Sequence, residues 1–155
     1  MIESRADVLE RVAIATLEQC AFLMTEPGQA LAQWRAKDPV HCIVALSGAY
    51  VGWVRMSAPR ELLGQLACDM IGSPPGDAEA LAQGEETLKE LTNVIAGVVV
   101  AELFGAIVEI KLGIPRTRTN LPAVSPRAQR TTVTLITEKA QALEVELVVV
   151  VEDPA

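Results

Sequence analysis

Glu86, Glu90, Asn93 and Gly97 are the residues whose types and spacing best suit chemistry in this chain. On a helix with about 100° per residue and Glu86 at zero, Glu90 falls at about 40°, Asn93 at about 340° and Gly97 at about 20°. Two carboxylates, a carboxamide and a residue without a side chain would therefore share one narrow strip. Asn and Gly each cost roughly 0.5–1 kcal/mol of helix stability relative to Ala. Their presence indicates that helix formation alone does not explain the strip.

The side chains of this strip can orient and clamp other groups, but they cannot supply a nucleophile. An Asn carboxamide donates and accepts hydrogen bonds without titrating, so it can hold a water in line with a phosphorus atom. A neighbouring carboxylate can grip a cationic side chain and fix the geometry of two docked proteins. A solvated helix face is the alternative interpretation of Glu90 and Asn93, and tight packing against another helix is the alternative for Gly97.

The strip must be positioned by a long helix. Asp77 is its predicted N-cap, Gly84 is a weak point inside it, and the helix is predicted to run to about Phe104 and to end at Gly105. Its apolar residues recur at helical spacing and predict a face that packs on the core; they are Leu88, Leu91, Ile95 and Val98.

The remaining chain alternates between helical and strand patterns, and residues 29–38 fit a short helix or a strand equally well. The other predicted elements are a helix capped by Ser4 and Asp7 that ends before residues 26–28, a hairpin of residues 42–46 and 50–56, a helix that opens at residues 57–59 and stops at Gly72, a strand within residues 106–113, an irregular segment at 115–130, and a hairpin of residues 131–138 and 143–151. This order predicts an α+β fold with a mixed or antiparallel sheet, packed helices and one domain of residues 1–155.

Composition and charge narrow the classes of partner. The formal net charge of −7 argues against binding to a nucleic-acid backbone and favours a basic or amphiphilic protein surface. The most apolar window, residues 94–114, is interrupted by Glu102, Glu109 and Lys111, so no membrane span is expected. The N-terminus lacks the pattern of a signal peptide, and a cytoplasmic protein is therefore expected.

Two charged features have no assigned role in the sequence. Residues 111–130 contain basic residues and no acid, which fits either a solvated loop or a contact with a partner. Glu102 falls on the apolar side of the long helix and is expected to reach solvent at the helix end or to meet an arginine of residues 116–130.

Cysteine and histidine usage argues against a metal centre. The chain has three cysteines without metal-ligand spacing and one histidine, so no metal site and no cofactor of its own are expected. Cys20, Cys42 and Cys68 are interpreted as buried free thiols in a reducing compartment. His41 precedes an apolar strand and is interpreted as a structural edge residue rather than a catalytic base.

The sequence resembles the chemotaxis phosphatase family of CheX, CheC and FliY. A helix in that family carries an acidic residue and, three positions later, an asparagine, as in Glu90-Leu91-Thr92-Asn93 here. Ala96-Gly97 matches the small residues that commonly follow, Pro115 matches a later proline, and Glu86 stands where the family tends to have Asp or Ser. The element order and the Ser-Gly-Ala-Tyr-Val-Gly centre of the first hairpin extend the resemblance over most of the chain.

One copy of the motif resembles CheX, whose members pair as homodimers through sheet edges, whereas members of the CheC type carry it twice. The resemblance therefore implies a homodimer, for which the terminal strands could supply an edge, although they fit an ordinary buried sheet equally well.

The resemblance implies hydrolysis of the aspartyl phosphate of a CheY-like response regulator. Asn93 would orient the attacking water, Glu90 would pair with a lysine of the regulator, Gly97 would allow close approach and Glu86 would add acidic steering. The Mg²⁺ of the reaction would belong to the regulator. The alternatives are a module of the same fold that binds a receiver domain or another signalling partner without hydrolysis, and a scaffolding domain of the flagellar motor switch.

Overall fold

The computed structural model describes residues 2–29, 38–105 and 108–150. The helices and strands in these ranges are, in chain order, α1 (Arg5–Ala21), β1 (Thr25–Pro27), β2 (Pro39–Gly48), β3 (Val51–Pro59), α2 (Arg60–Ile71), α3 (Ala78–Leu81), α4 (Gly84–Phe104), β4 (Ile110–Leu112), β5 (Arg116–Arg118), β6 (Ala128–Thr137) and β7 (Ala142–Val150).

The strands of the described ranges form one antiparallel sheet in the order β1-β6-β7-β3-β2-β4, and β5 also pairs with β2. β3 and β7 are therefore central, whereas the three-residue strands β1, β4 and β5 lie at the two edges. Helices α1, α2 and α4 pack on the sheet. The α+β architecture predicted from the sequence is confirmed.

The hydrophobic core lies between these helices and one face of the sheet. Every second residue of the four longer strands points into it, as expected for strands with one face buried. These residues are Val40, Cys42, Val44 and Leu46 of β2, Val54, Met56 and Ala58 of β3, Val133 and Leu135 of β6, and Leu143, Val145, Leu147 and Val149 of β7.

Both predicted hairpins are present, but the first is longer than the sequence indicated. β3 continues to Pro59, which pairs with Pro39, so α2 begins at Arg60 rather than at residues 57–59. Ser57 and Ala58 pair with β2 in full register, so the strand continues up to Pro59, which is the N-cap of α2.

The single long helix predicted from Asp77 to Phe104 is wrong, because the structure divides it into α3 and α4. Asp77 caps α3, its carboxylate accepting a hydrogen bond from the Ala80 amide. Gly84 begins α4 and lies so close to α2 that a Cβ atom there would be 3.2 Å from Leu63 Cβ. Gly105 ends α4 as predicted.

Three other expectations are corrected or lie outside the described residues. Only Ile110–Leu112 of the strand expected within residues 106–113 is strand, and residues 106 and 107 are outside the described ranges. The ambiguous stretch 29–38 falls mostly on residues 30–37, also outside them. Cys42 and Cys68 are buried as expected, but Cys20 is exposed because it lies on the outer side of α1 near its end.

The sheet face opposite the helices carries a buried charged cluster that sequence reasoning missed. Arg55 of β3 donates hydrogen bonds to Glu144 at 2.5 Å, to Glu146 at 3.3 Å and to Ser57. Glu146 also accepts hydrogen bonds from Arg130 at 2.7 Å and from Thr132 at 2.8 Å. Burial alone raises the pKa of Glu146, but these hydrogen bonds and the charge of Arg55 outweigh it and hold the pKa below its ordinary value.

His41 lies at the border of this cluster. It has a structural contact, but it does not lie at an edge of the sheet as the sequence interpretation had it. Its Nδ1 is 2.5 Å from Ser57 Oγ. β2 is paired on both sides at this position, with Ser57 of β3 and Arg118 of β5 as register partners.

The strand order also decides which terminal strand can offer an edge. β7 lies between β3 and β6 and is therefore not an edge strand. β1 pairs only with Leu135–Thr137 of β6. The Thr134 carbonyl accepts a hydrogen bond from the Gly28 amide at 3.0 Å, so within the described residues the outer edge of β6 is open from Ala128 to Val133.

Candidate functional site on helix α4

Helix α4 is held by packing along its whole inner side. Its buried side chains contact α1, α2 and the sheet, and they include Leu88, Leu91 and Ile95 of the predicted core face. Glu85 and Glu86 lie in the first turn, where negative charge is favourable near a helix N-terminus. The helix therefore presents a rigid outer side to solvent.

The sequence strip lies on this outer side. Glu86, Glu90 and Asn93 are exposed, and Gly97 is half-buried. We define the outer face of α4 by these residues together with three further exposed residues, Val94, Val98 and Ala101. Glu90, Asn93 and Gly97 are thus brought to one surface, as the helical period predicts.

The two acidic residues of the strip differ in their contacts. The Glu86 carboxylate forms an ion pair with Lys89 at 3.1 Å, one turn along the same helix. Within the part of the chain that the structure describes, neither Glu90 nor Asn93 makes a side-chain hydrogen bond or ion pair. Glu90 and Asn93 are therefore the members of the strip whose polar groups are available to another molecule without breaking an existing contact.

The side chains beneath the strip supply no nucleophile. Thr92 is fully buried, and its hydroxyl donates a hydrogen bond to the Leu88 carbonyl at 2.6 Å. Burial raises the pKa of the Cys42 thiol and outweighs the opposing effects of Thr92 and Lys89. This thiol therefore stays protonated and inert at neutral pH. Among the described residues, no group of three His, Cys, Asp or Glu side chains is placed to hold a metal ion.

Gly97 is not explained by packing inside the protein. A Cβ atom built on Gly97 would lie 4.0 Å from Leu112 Cδ1, and no other described atom lies within that distance apart from its chain neighbours and its own helix backbone. By contrast, a Cβ on Gly64 would lie 2.6 Å from Leu81 Cδ2, and one on Gly84 would also be tightly enclosed. Among the described residues, Gly97 therefore shows no tight packing against another helix, which was its alternative interpretation.

Two other expectations about α4 are corrected. Val98, assigned to the core face, is 41% exposed, and Val94 beside it is 38% exposed. Glu102 reaches solvent at the helix end as one of its two expectations had it, since its side chain is 39% exposed; its arginine partner is Arg11 of α1 at 3.1 Å, not an arginine of residues 116–130. The antiparallel packing of α1 on α4 brings Arg11 to this position, which the sequence pattern could not indicate.

The basic segment lies mainly along the far edge of the sheet. Lys111 belongs to β4, Arg116 and Arg118 belong to β5, and both strands pair with β2. Arg130 instead belongs to β6 and binds Glu146. Pro115 is half-buried immediately before β5.

The family model for the chemotaxis phosphatase CheX matches residues 40–138 of this chain, a span that includes nearly all of β2 and the whole of β3 and α4. The chain belongs to the CheX family. Comparison with curated protein sequences gives no significant match.

Solved structures of CheX-like proteins share the fold. A chain in the crystal structure of the CheX–CheY–BeF3–Mg²⁺ complex from Borrelia burgdorferi matches with a TM-score of 0.74 and 18% identity, over 94% of this chain and 97% of that one. CheX from Desulfovibrio desulfuricans matches with a TM-score of 0.73 and 16% identity, over 94% and 98% of the two chains. FliY from Thermotoga maritima matches with a TM-score of 0.58 and 14% identity, over 95% and 91%.

No helix in the described part of this CheX-family chain is long and apolar enough to cross a membrane.

Proposed function

We propose that this protein hydrolyses the aspartyl phosphate of a CheY-like response regulator, using Asn93 and Glu90 of α4. The observation that carries the proposal is that both polar groups are exposed and unengaged within the described residues, on a helix whose inner side is fully packed. The CheX family membership supports the reaction class, and the Borrelia burgdorferi complex supports the class of partner.

Asn93 is proposed to orient the attacking water. Its amide oxygen can accept a hydrogen bond from the water while its amide nitrogen donates to a phosphoryl oxygen. The water oxygen then bonds to phosphorus while the bond from phosphorus to the aspartyl oxygen breaks. The receiver keeps the aspartate as a carboxylate, and inorganic phosphate leaves with the oxygen and the protons of the water. Because a neutral amide does not titrate, its contribution comes from placement in line with the breaking bond. Mg²⁺ bound by the receiver would neutralise charge on the phosphoryl oxygens.

Glu90 is proposed to clamp the receiver by pairing with a lysine beside the phosphoryl group. A lysine that leaves the phosphoryl oxygens for Glu90 would also open room for the water. Glu86 lies one turn earlier and is already paired with Lys89, so its proposed contribution is limited to attraction of a cationic surface. An exposed pair of this kind is worth less than about 1 kcal/mol and can exchange partners readily.

The test is the decay of a phosphorylated CheY-like receiver with a catalytic amount of this protein. The parent should accelerate decay through many turnovers. Asn93→Ala should lose acceleration by about 10²-fold or more while still binding the receiver, because only the water-orienting group is removed. Glu90→Ala should weaken both binding and acceleration.

The chain's other asparagine provides a matched control. Asn120 is exposed in the segment between β5 and β6. The phosphorylated receiver should decay as fast with Asn120→Ala as with the parent protein. Unchanged acceleration by Asn93→Ala would refute the mechanism, and stoichiometric protection of the phosphoryl group by the parent would identify a non-catalytic binding module instead.

A homodimer is also proposed, on the family resemblance alone. The open outer edge of β6, residues 128–133, is the longest stretch of unpaired strand among the described residues and would be its contact surface.

A further inference from the structure

The outer face of α4 changes character at Asn93. The residues before it are acidic: Glu86 and Glu90 are exposed. After it, through Ala101, the exposed residues of this face carry no charge, and Val94 and Val98 are 38% and 41% exposed. A bland solvent-facing helix surface would carry charged or long polar side chains over these two turns.

Gly97 lies at the centre of this uncharged half. By the helical period, Val94 and Val98 are about 60° and 100° to one side of Gly97. Thr92, which hydrogen-bonds the Cys42 thiol of β2, is on the other side, and β4 extends the sheet beyond β2 on that flank. Leu112 of β4, itself 38% exposed, is accordingly the neighbour that a Cβ on Gly97 would contact.

Gly97, which has no side chain, therefore lies between Val94 and Val98 on one side and Leu112 on the other. We call these four residues the apolar notch. The fold has room for an alanine at Gly97, and glycine is unfavourable inside a helix. The missing side chain thus serves no packing purpose within the described protein, and it deepens a surface that faces outward.

We propose that the apolar notch seats an apolar side chain at the rim of the receiver's phosphorylation site, and so sets which receivers are accepted. This inference rests on the proposed function, because the notch begins within one helical turn of Asn93 and continues the same exposed face. A molecule aligned with Asn93 must cover the notch. Glu90 would fix the receiver electrostatically on one side of Asn93, and the notch would fix it by apolar contact on the other.

The separation of binding from chemistry tests this assignment. Steady-state hydrolysis of a phosphorylated CheY-like receiver should show a KM raised by about tenfold or more in Gly97→Leu and in Val98→Asp, with kcat within about twofold of the parent. Asn93→Ala should show the opposite pattern, a lowered kcat with a KM close to that of the parent. Binding of the same receiver activated with beryllofluoride and Mg²⁺ should weaken in step with KM.

Thermal unfolding keeps the test independent of folding defects. Gly97→Ala should unfold at a temperature no lower than the parent while its KM rises, because the fold has space for the methyl group and the receiver does not. A lower unfolding temperature for Gly97→Ala would overturn the assignment, since the glycine would then serve the fold.

The remaining outcomes separate the notch from the proposed function. Unchanged KM in Gly97→Leu and Val98→Asp, with activity lost in Asn93→Ala, would overturn the notch and leave the phosphatase intact. A parent that neither binds nor dephosphorylates the receiver would overturn both. A change of oligomeric mass in Val98→Asp would assign the surface to contact between copies and overturn the notch as a receiver site.

Discussion

Replacement of Arg55 by Met should destabilise the protein far more than an equivalent change at the surface. The Arg55 side chain is 1% exposed and binds two carboxylates, at 2.5 Å and 3.3 Å, whose side chains are 6% and 2% exposed. Arg55→Met keeps much of the side-chain length but removes the cation from this cluster. Removing one partner of a buried ion pair costs about 3–5 kcal/mol, because a buried charge loses its compensation.

Arg60 is a matched control, since it also contacts two carboxylates. It lies 2.9 Å from Asp38 and 3.5 Å from Glu85, but its side chain is 48% exposed. Water and salt screen such pairs, so Arg60→Met should cost less than about 1 kcal/mol. The contrast between the two variants isolates burial as the cause.

Urea unfolding at neutral pH measures both variants. A loss of 3–5 kcal/mol corresponds to a thermal midpoint lowered by about 6–20 °C in a chain of this size. The slope of unfolding free energy against urea should remain that of the parent. Equal destabilisation by the two variants, or a loss below about 1 kcal/mol for Arg55→Met, would refute the reasoning from burial.

Two further measurements address the acid limit and the assembly. Because the pKa of Glu146 is held below its ordinary value of 4.5, the folded state binds fewer protons than the unfolded state; its stabilisation is complete above about pH 4.5 and is lost as pH falls. Urea unfolding measured from pH 7 to pH 3 should show this loss. The free energy of unfolding should depend less steeply on pH in Glu146→Gln than in the parent, and an identical dependence would assign the effect to other carboxylates. Light scattering should give twice the 16.6 kDa of one chain, and amide protection of residues 128–133 should rise with concentration. A monomer at all concentrations would contradict the dimer.

Local patterns predicted the elements whose signals lie within a few residues. Ser4 and Asp7 form the capping box that the sequence indicated, with both reciprocal hydrogen bonds present. The alternation in the two hairpins and the helical period around Leu91 likewise identified strands and helix correctly. These signals are local because caps, turns and periodicity are decided by neighbouring residues.

The errors come from contacts between distant parts of the chain. The helical period placed Val98 at the border of the side of α4 that packs on the core. Whether a side chain at that border is buried depends on how far the neighbouring helices and strands extend, which the period does not indicate. The division between α3 and α4 depends on Leu63 and Gly64 of another helix. Glu144 and Glu146 alternate with apolar residues as on a solvated face, yet the central place of β7 and the register of Arg55 bury them.

The packing of the α4 backbone around Asn93 supports the proposed water-orienting role of this residue. Leu91 and Thr92 before it, and Ile95 and Ala96 after it, have no exposed surface, so the backbone at Asn93 is fixed from both sides. Only the two side-chain torsions remain free, and ordering such a side chain on docking costs about 0.5–1.5 kcal/mol. A group that acts by holding a water in place needs a fixed base more than it needs an altered pKa. The packed inner side of α4 fixes that base, and in the proposed mechanism the exposed outer face would let the amide enter the receiver's site.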